Sequence, residues 1–190
     1  MNKENENKVT LSTERLVLRE FNEKDFSAVH AYASDKENIK YMIWGPNTKE
    51  DTVEFLIECM ENANKNPRRQ YDFAVTLKET GRVIGGCGIY LNDKLDEAML
   101  GWILHKNYWK KGYMTEAAKE LLRFSFENLK LHRVYATCDA NNYGSYKVME
   151  NIGMRREGHA IKNRKVVGFK EYHDELFYAI LEEEWERNNR

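Results

Sequence analysis

A strand that passes through a glycine turn into a long amphipathic helix is the feature that most constrains this fold. The stretch from Met99 to Leu129 starts with an apolar run to Leu104, continues through a polar turn that contains Gly112, and then repeats apolar or small residues at helical spacing. This spacing predicts a helix with one buried face. The stripe consists of Met114, Ala117, Ala118, Leu121, Leu122, Ser125, Phe126 and Leu129.

The turn before this helix predicts an anion site. A helix that begins directly after a glycine turn leaves several backbone N–H groups unpaired at the positive end of its dipole, and phosphate is the usual anion there. Gly112 permits close approach of a ligand to the backbone, and Lys110 and Lys111 add positive charge. The turn matches neither the GxxxxGK nor the GxGxxG phosphate motif, so an ordinary connection with solvated lysines is an equally good interpretation of the turn alone.

Composition favours one globular domain with no bias toward nucleic acid or membranes. The chain has 190 residues and a formal net charge of -1, and its first residues, MNKENENK, contain no apolar targeting segment. We expect a disordered tail over residues 1–9 and a single domain over 10–190. Three distant cysteines in apolar runs, Cys59, Cys87 and Cys138, predict reduced thiols in a cytoplasmic protein. The histidines lie in no zinc-binding motif, so no metal site is expected.

The order of the remaining elements predicts an α+β fold. Residues 14–21 alternate as a strand, Tyr71 to Leu91 reads as a hairpin, and 96–104 and 133–139 form strands on either side of the long helix. The last two segments therefore make one central parallel βαβ crossover in a mixed, mostly antiparallel sheet with flanking helices. Residues 154–162 and 174–181 predict a final antiparallel pair.

Two further patterns concern the first half of the chain. Thr48 with Asp51 predicts a capping box, and the helix that follows is expected to bury one apolar stripe. The expected stripe is Val53, Leu56, Cys59, Met60 and Ala63. Three glycines inside the second arm of the hairpin indicate a bulge, or a place where a neighbour packs close to the backbone. They are Gly85, Gly86 and Gly88.

Two segments together resemble the GNAT superfamily of acyl-CoA N-acyltransferases, in particular its RimJ/RimL-like branch. YWKKGYMTEA, from Tyr108 to Ala117, resembles the pyrophosphate loop of that branch, and NNYGSYKVMENIGMRREG, from Asn141 to Gly158, resembles its cofactor-side helix. TERLVLREF near the start and DELFYAILEEEW near the end also match. The resemblance implies the GNAT fold and transfer of an acetyl group from acetyl-CoA to a primary amine, either a protein N-terminal α-amine or a small-molecule amine.

The resemblance also implies which residues hold acetyl-CoA. The turn would bind the pyrophosphate, the end of the preceding strand would pair with the pantetheine arm through its backbone, and the second segment would contact the arm near the thiol. The residues implied are Ile103, Leu104, Lys110, Lys111, Gly112, Tyr113, Met114, Thr115, Asn142 and Ser145. Lys110 and Met114 depart from the glycine and small residue usual in the branch, which predicts a loop slightly farther from the phosphates.

The catalytic residues are harder to assign, because Met99 occupies a position that is often acidic in the branch. Glu97, on the same strand face, is the first candidate for a general base, and Asp139, at the end of the parallel strand, is the second. Met149 stands where many relatives carry a tyrosine, so Ser145 or Tyr146 is the candidate donor to the departing thiolate. Solvated, capping or packing roles are equally compatible with these side chains.

The acceptor pocket and the oligomeric state rest on fold analogy. Tyr41 and Trp44 are the candidate acceptor-binding residues, with simple packing as the alternative, and the terminal strands are expected to form a homodimer. A second class of function also stays open. Met99 and Met149 are compatible with a GNAT-like module that binds acyl-CoA as a sensor or structural partner without turnover.

Overall fold

The structure, a computed structural model, describes residues 8–189, which form one eight-stranded sheet with helices on both faces. The strands lie in the order β1-β2-β3-β4-β5-β6-β8-β7. Their bounds are β1 Thr10–Ser12, β2 Leu16–Glu20, β3 Gln70–Leu77, β4 Val83–Leu91, β5 Glu97–Leu104, β6 Arg133–Asp139, β7 Arg155–Lys165 and β8 Tyr172–Leu181. The helices are α1 Phe26–Ala33, α2 Lys49–Ala63, α3 Tyr113–Glu127, α4 Tyr143–Asn151 and α5 Glu182–Asn188. Within the described residues, no helix has the length and apolar character needed to cross a membrane.

The predicted tail falls mostly on residues 1–7, which lie outside the described part of the chain. Val9, the last residue of that prediction, packs against the core, and its N–H donates to Glu20 at 3.2 Å. Strand β1 begins at the next residue.

The sheet is antiparallel except between β5 and β6, which confirms the predicted α+β architecture. The parallel ladder pairs only Glu97–Met99 with Arg133–Tyr135. Beyond these pairs, β5 stays paired with β4 as far as Leu104, and β6 stays paired with β8 as far as Asp139. The two strands therefore part after Met99 and Tyr135. We call the space between Leu100–Leu104 and Ala136–Asp139 the β5–β6 opening.

Side chains that alternate along β5 and β6 reach two different cores. The larger core includes Leu100 and Cys138 together with helix α3, and we call this side of the sheet the α3 face. The smaller core lies under α1 and α2, where Ile103 packs, and we call this side the α1 face. Since neighbours in a strand point to opposite faces, Met99 and Asp139 lie on the α1 face. The opening is therefore lined differently on its two sides.

Helix α2 corrects the predicted buried stripe. The capping box is present, because the side chains of Thr48 and Asp51 each accept the other's backbone N–H. Val53, however, is 46% exposed, and the buried positions are Thr52, Leu56, Cys59 and Asn62. The hydroxyl of Thr52 is bonded both to the Thr48 carbonyl and to His30, so this polar residue is buried with its hydrogen bonds satisfied. Strand β1 and helix α5 were not predicted.

The three glycines of β4 lie where neighbours press on the backbone, as predicted. The register of β3 and β4 shifts between Val75 and Thr76. A Cβ added to Gly85 would overlap the Ile103 carbonyl oxygen, and one added to Gly88 would lie 2.6 Å from the Tyr90 hydroxyl oxygen. Close packing of β5 backbone therefore excludes larger residues at Gly85, whereas the neighbours that crowd Gly88 are the side chains of Tyr90 and Asp72.

We predict that Gly85→Ala lowers the free energy of unfolding by about 2–3 kcal/mol, because the obstacle is backbone that cannot rotate away. The matched control is Gly144→Ala in α4, where a new Cβ would meet nothing nearer than the Asn142 side-chain oxygen at 3.8 Å. This control should leave stability unchanged or raise it by up to about 1 kcal/mol. Urea unfolding of both variants measures the difference, and equal effects would contradict the close packing of β4 on β5.

Candidate active site

The N-terminus of α3 is open to an anion. Gly112 is the N-cap, with φ of +79°, and no side chain caps the helix within the described residues. The first bond of the helix runs from the Glu116 N–H to the Gly112 carbonyl at 3.0 Å. The N–H groups of Tyr113, Met114 and Thr115 therefore have no acceptor within the helix, and they point outward at the positive end of its dipole.

The lysines of the turn lie at the surface beside these N–H groups. Lys110 adopts φ of +60°, in the left-handed region that glycine occupies most easily, which explains why a glycine suits this position. Lys110 and Lys111 are exposed. Met114 is only 6% exposed and belongs to the large core, so its long side chain points away from the turn and leaves the approach to the backbone free.

Arg15 and Glu116 fix the turn to the start of the sheet. The Glu116 carboxylate accepts hydrogen bonds from the Thr13 hydroxyl at 2.5 Å and from the backbone N–H and Nε of Arg15, both at 2.7 Å. Arg15 also donates through Nη1 to the Lys111 carbonyl at 3.1 Å and lies over the Tyr113 ring. A single charged pair therefore joins the β1–β2 turn, the anion-binding turn and the first turn of α3.

The hydrogen bonds to Glu116 lower its pKa. Burial by itself would raise its pKa, but the hydrogen bonds from Thr13 and Arg15 outweigh burial and hold the pKa below its ordinary value. A carboxyl with a lowered folded-state pKa stabilises the fold above its unfolded pKa, near 4, and loses this contribution as the pH falls through the folded value. The Glu116 carboxylate is therefore charged at neutral pH, and its hydrogen bonds with Thr13 and Arg15 contribute in full to stability there.

The end of β5 offers backbone to the opening. His105 donates its N–H to the Ile84 carbonyl of β4, and Ile103 is paired with Gly86, so alternation directs the Ile103 backbone toward β4. The groups of Trp102 and Leu104 therefore face the β5–β6 opening. The Leu104 carbonyl already accepts from Trp109 Nε1 at 2.6 Å and from the buried Asn38 side chain at 3.2 Å. Trp102 thus offers both an N–H and a carbonyl there.

Helix α4 brings its predicted residues to the end of β6. Asn142 caps the helix, and its side-chain oxygen accepts the Ser145 N–H at 3.2 Å. Ser145 is hydrogen-bonded to the thiol of Cys138, whose pKa burial raises to about 12. Tyr146 is partly buried against the large core and packs edge-on to the Tyr143 ring, and Met149 is 1% exposed. Ser145 is therefore the hydroxyl that this helix brings to β6.

The two predicted carboxylates lie at opposite ends of the opening. Glu97 is in an ion pair with Arg133, within the three-residue ladder where β5 and β6 are still joined. Asp139 is 1% exposed at the far end, where one carboxylate oxygen bonds His173 Nδ1 and the other accepts the Asn141 N–H at 2.8 Å. The structure therefore does not bring Glu97 and Asp139 together, and His173 is the group that covers Asp139.

The side chains of β7 and β8 next to the end of β6 are also polar. Arg164 of β7 bonds both Thr137 and Glu175, and Glu175 is 9% exposed. The Nε of Arg164 is buried and has no hydrogen-bond partner within residues 8–189. This region combines one cation with the buried acids Asp139 and Glu175.

Tyr41 and Trp44 lie in the connection between α1 and α2. This connection contacts the β7–β8 loop, since Val167 donates its N–H to the Met42 carbonyl at 3.2 Å. In that loop Phe169 packs edge-on against His173, with the ring centroids 4.5 Å apart. Trp44 is 38% exposed, and Tyr41 is partly buried under Lys40. The predicted acceptor residues therefore belong to the part of the α1 face that adjoins the loop over His173.

Sequence reasoning missed the side chains that hold the site together. Arg15 and Glu116 lie in the quoted segments TERLVLREF and YWKKGYMTEA, but they are about a hundred residues apart and no local pattern joins them. His173 carried no signal, because its partner Asp139 lies on another strand. Within the described residues, no three His, Cys, Asp or Glu side chains cluster closely enough to hold a metal ion.

These features define a class of protein. A mixed sheet parts at its one parallel pair, an uncapped helix N-terminus follows the end of the parted strand, and a Cβ at Gly112 would meet Arg15 at 3.4 Å. An extended arm fits the free edge of β5, and a pyrophosphate fits the N-terminus of α3. This combination is compatible with a coenzyme A thioester, and the class that it indicates is the acyl-CoA-dependent acyltransferases.

Comparison with known proteins gives the family. Residues 15–155 match the family model described as an acetyltransferase (GNAT) domain. The chain is 41% identical over 175 residues to the uncharacterized N-acetyltransferase YnaD of Bacillus subtilis, covering 92% of this chain and 98% of that one. The chain therefore belongs to the GNAT family and is an N-acetyltransferase that uses acetyl-CoA, which confirms the predicted family and cosubstrate.

Solved structures agree on the fold. A GNAT-family acetyltransferase from Bacillus anthracis superimposes with a TM-score of 0.80 at 37% identity, covering 92% of this chain and 99% of that one. The ribosomal L7/L12 α-N-protein acetyltransferase RimL, solved with coenzyme A, has a TM-score of 0.79 at 16% identity, covering 91% and 98%. At that identity the likeness to RimL shows the shared fold.

We predict that Glu116→Gln lowers the free energy of unfolding by about 2 kcal/mol at neutral pH, because it weakens several charge-assisted hydrogen bonds. The loss should shrink at low pH, where the native carboxylate is itself protonated. The control Glu127→Gln removes an exposed partner of Arg123 on the same helix and should cost less than about 1 kcal/mol. Urea unfolding between pH 3 and 7 measures the stability of both variants. A loss of stability that does not change with pH would contradict the stabilising role of the charged Glu116.

Proposed function

We propose that this N-acetyltransferase passes the acetyl group directly from acetyl-CoA, bound at the α3 face, to a primary amine that enters from the α1 face. The observation that carries the proposal is the parting of β5 and β6 next to the uncapped N-terminus of α3. The gap between these strands connects the α3 face and the α1 face of the sheet. A thioester on one side and an amine on the other can meet there without a covalent enzyme intermediate.

The cofactor residues divide into three groups in this proposal. Backbone N–H groups of the turn and of the first helical turn hold the pyrophosphate, with added charge from Lys110 and Lys111. Backbone of Trp102 and the N–H of Leu104 pair with the pantetheine arm, so Trp102 replaces Ile103 in the predicted set. Ser145 lies next to Cys138 near the end of β6 and is the proposed donor to the departing thiolate. Holding both reactants in one geometry supplies much of the rate enhancement.

The acceptor in this proposal carries an amine that is positively charged in solution. The buried acids Asp139 and Glu175 line the α1 side, where they are paired with His173 and Arg164. The charge of the amine follows from its own pKa, which for an α-amine is near 8. Both a protein N-terminal α-amine and a small-molecule amine meet this requirement. The partly exposed Trp44 supplies apolar surface for whatever follows the amine.

The candidate proton-transfer residues differ in their surroundings. Glu97 is engaged by Arg133 at the joined end of the strands, and Asp139 is bonded to His173, which is less deeply buried. Ser145 remains the candidate donor to the thiolate, and Tyr146, packed against the core, is the less favoured one. Met149 lies inside the core, where its side chain takes no part in acid–base chemistry.

Two further expectations complete the proposal. Three unpaired buried thiols suit a reducing compartment, which supports a cytoplasmic location. The sheet ends in β1 on one side and β7 on the other, and each end strand has one edge without a strand partner in the described residues. These terminal strands are the candidate surface for the predicted homodimer.

We predict that Gly112→Trp abolishes micromolar acetyl-CoA binding, because the bulky side chain fills the space in front of the α3 N–H groups. The matched control is Gly81→Trp in the β3–β4 turn, which also has a positive φ and has no neighbouring atom within 4 Å of a new Cβ. Both variants carry the same backbone strain, so only the site differs. Calorimetry with acetyl-CoA should show loss in Gly112→Trp alone, and equal binding by both would rule out this cofactor site.

We also predict acetyl-CoA-dependent thiol release with at least one primary amine from a panel of peptides, spermidine, amino acids and an aminoglycoside. The same amine, blocked by prior acetylation, is the matched control and should give none. Binding of acetyl-CoA without thiol release for any amine would instead favour the sensor or structural module.

A further inference from the structure

Strand β5 has no acidic side chain on the α1 face at Met99 and Gly101, where the opening begins. Met99 occupies the last paired position of β5, and the next residue on this face is Gly101. Neither can take a proton. On the neighbouring strand, Tyr90 is paired with Met99, and Gly88 is paired with Gly101. The polar groups beside this point are therefore Tyr135 of β6, which is paired with Met99, and side chains of β4 and β3.

Tyr90 and Asp72 form a hydrogen-bonded pair at this place. Asp72 of β3 lies opposite Gly88, so Asp72, Gly88 and Gly101 make one row across three strands. The Tyr90 hydroxyl donates to Asp72 at 2.8 Å. A Cβ on Gly101 would lie 3.2 Å from Cε2 of the Tyr90 ring. The ring therefore rests over the two paired glycines and directs its hydroxyl along the row to Asp72.

Three glycines of β4 and β5 lie under α1 on this face. Gly86, Gly88 and Gly101 present no side chains on this face, and Tyr32 of α1 approaches from above, with its hydroxyl oxygen 3.3 Å from a Cβ on Gly86. Tyr32 is 2% exposed, and its hydroxyl has no hydrogen-bond partner within the described residues. A buried hydroxyl without a partner is rare in folded proteins. The Tyr32 hydroxyl is therefore available to a polar group that approaches Gly86.

The surroundings of Asp72 make it a better base than an ordinary carboxyl. Burial raises its pKa, and the charge of Glu58 on α2 adds to this, while the Tyr90 hydroxyl and Arg68 act in the opposite direction. The other titratable groups that act on this cluster are the buried thiols of Cys59 and Cys87, whose pKa values burial also raises. A base with a raised pKa binds the proton of an ammonium group more readily at neutral pH.

We propose that Tyr90 contacts the acceptor amine and that Asp72, acting through the Tyr90 hydroxyl, removes the first proton of its ammonium group. This proposal rests on the acetyl transfer proposed above. The ammonium nitrogen gives one proton to the Tyr90 oxygen as the Tyr90 proton moves to Asp72. The neutral amine then attacks the thioester carbonyl carbon, so that the C–N bond forms and the C–S bond breaks. Coenzyme A leaves as a thiolate and receives a proton from the Ser145 hydroxyl, which takes up the second amine proton in turn, and Asp72 returns its proton to solvent.

The test is acetyl transfer to the best amine of the panel by Asp72→Asn and Tyr90→Phe. We expect kcat/KM at neutral pH to fall by about 10²-fold or more in Asp72→Asn and by about 10-fold in Tyr90→Phe. The acidic limb of the pH profile should also move upward to the pKa of the free amine, near 8 for a peptide α-amine. A purely structural role would not move that limb. Asp93→Asn, at a carboxylate 93% exposed in the β4–β5 turn, is the control.

Calorimetry with acetyl-CoA separates the outcomes, since neither residue contacts the cofactor turn and binding should be unchanged. A wild type that transfers acetyl with an Asp72→Asn variant of equal rate and pH profile overturns the role of Asp72 and leaves the proposed function standing. A wild type that binds acetyl-CoA but acetylates no amine overturns both. If Asp72→Asn fails to bind acetyl-CoA, Tyr90→Phe decides, because it keeps the ring over Gly101 and removes only the hydroxyl.

Discussion

The three-residue parallel ladder between β5 and β6 is the constraint on which the rest of the molecule depends. It is short because each strand stays with its antiparallel partner, β4 or β8, while the two diverge. Arg133 secures the joined end through ion pairs with Glu97 and Glu157. A longer ladder would close the opening between the faces, and a missing one would separate the halves of the sheet.

Charge is separated across this opening even though the net charge is only -1. On the α3 side lie the helix N-terminus, Lys110, Lys111 and Arg15, which are the positive groups of the proposed phosphate site. On the α1 side lie buried acids such as Asp72 and Asp139, where the proposed amine would enter. Local fields, and not total charge, act over these distances.

Much of the fold could be predicted because local patterns carried it. The stripe of α3 and the capping box of α2 were visible in sequence, and both are present. The stripe of α2 was wrong at Val53, because hydrophobicity alone did not show that Thr52 finds partners for its hydroxyl. Interactions between distant segments, such as Arg15 with Glu116 or Tyr90 with Asp72, have no local signature.

The sequence by itself determined the βαβ crossover, the glycine turn before α3 and the family, since each is encoded in contiguous residues with a fixed period or motif. Only the tertiary structure decided where β5 and β6 part, which backbone groups face the opening, and which acids meet on the α1 face. Those features depend on register and strand order. They arise when strands that are far apart in the chain pair with one another, as β6 does with β8.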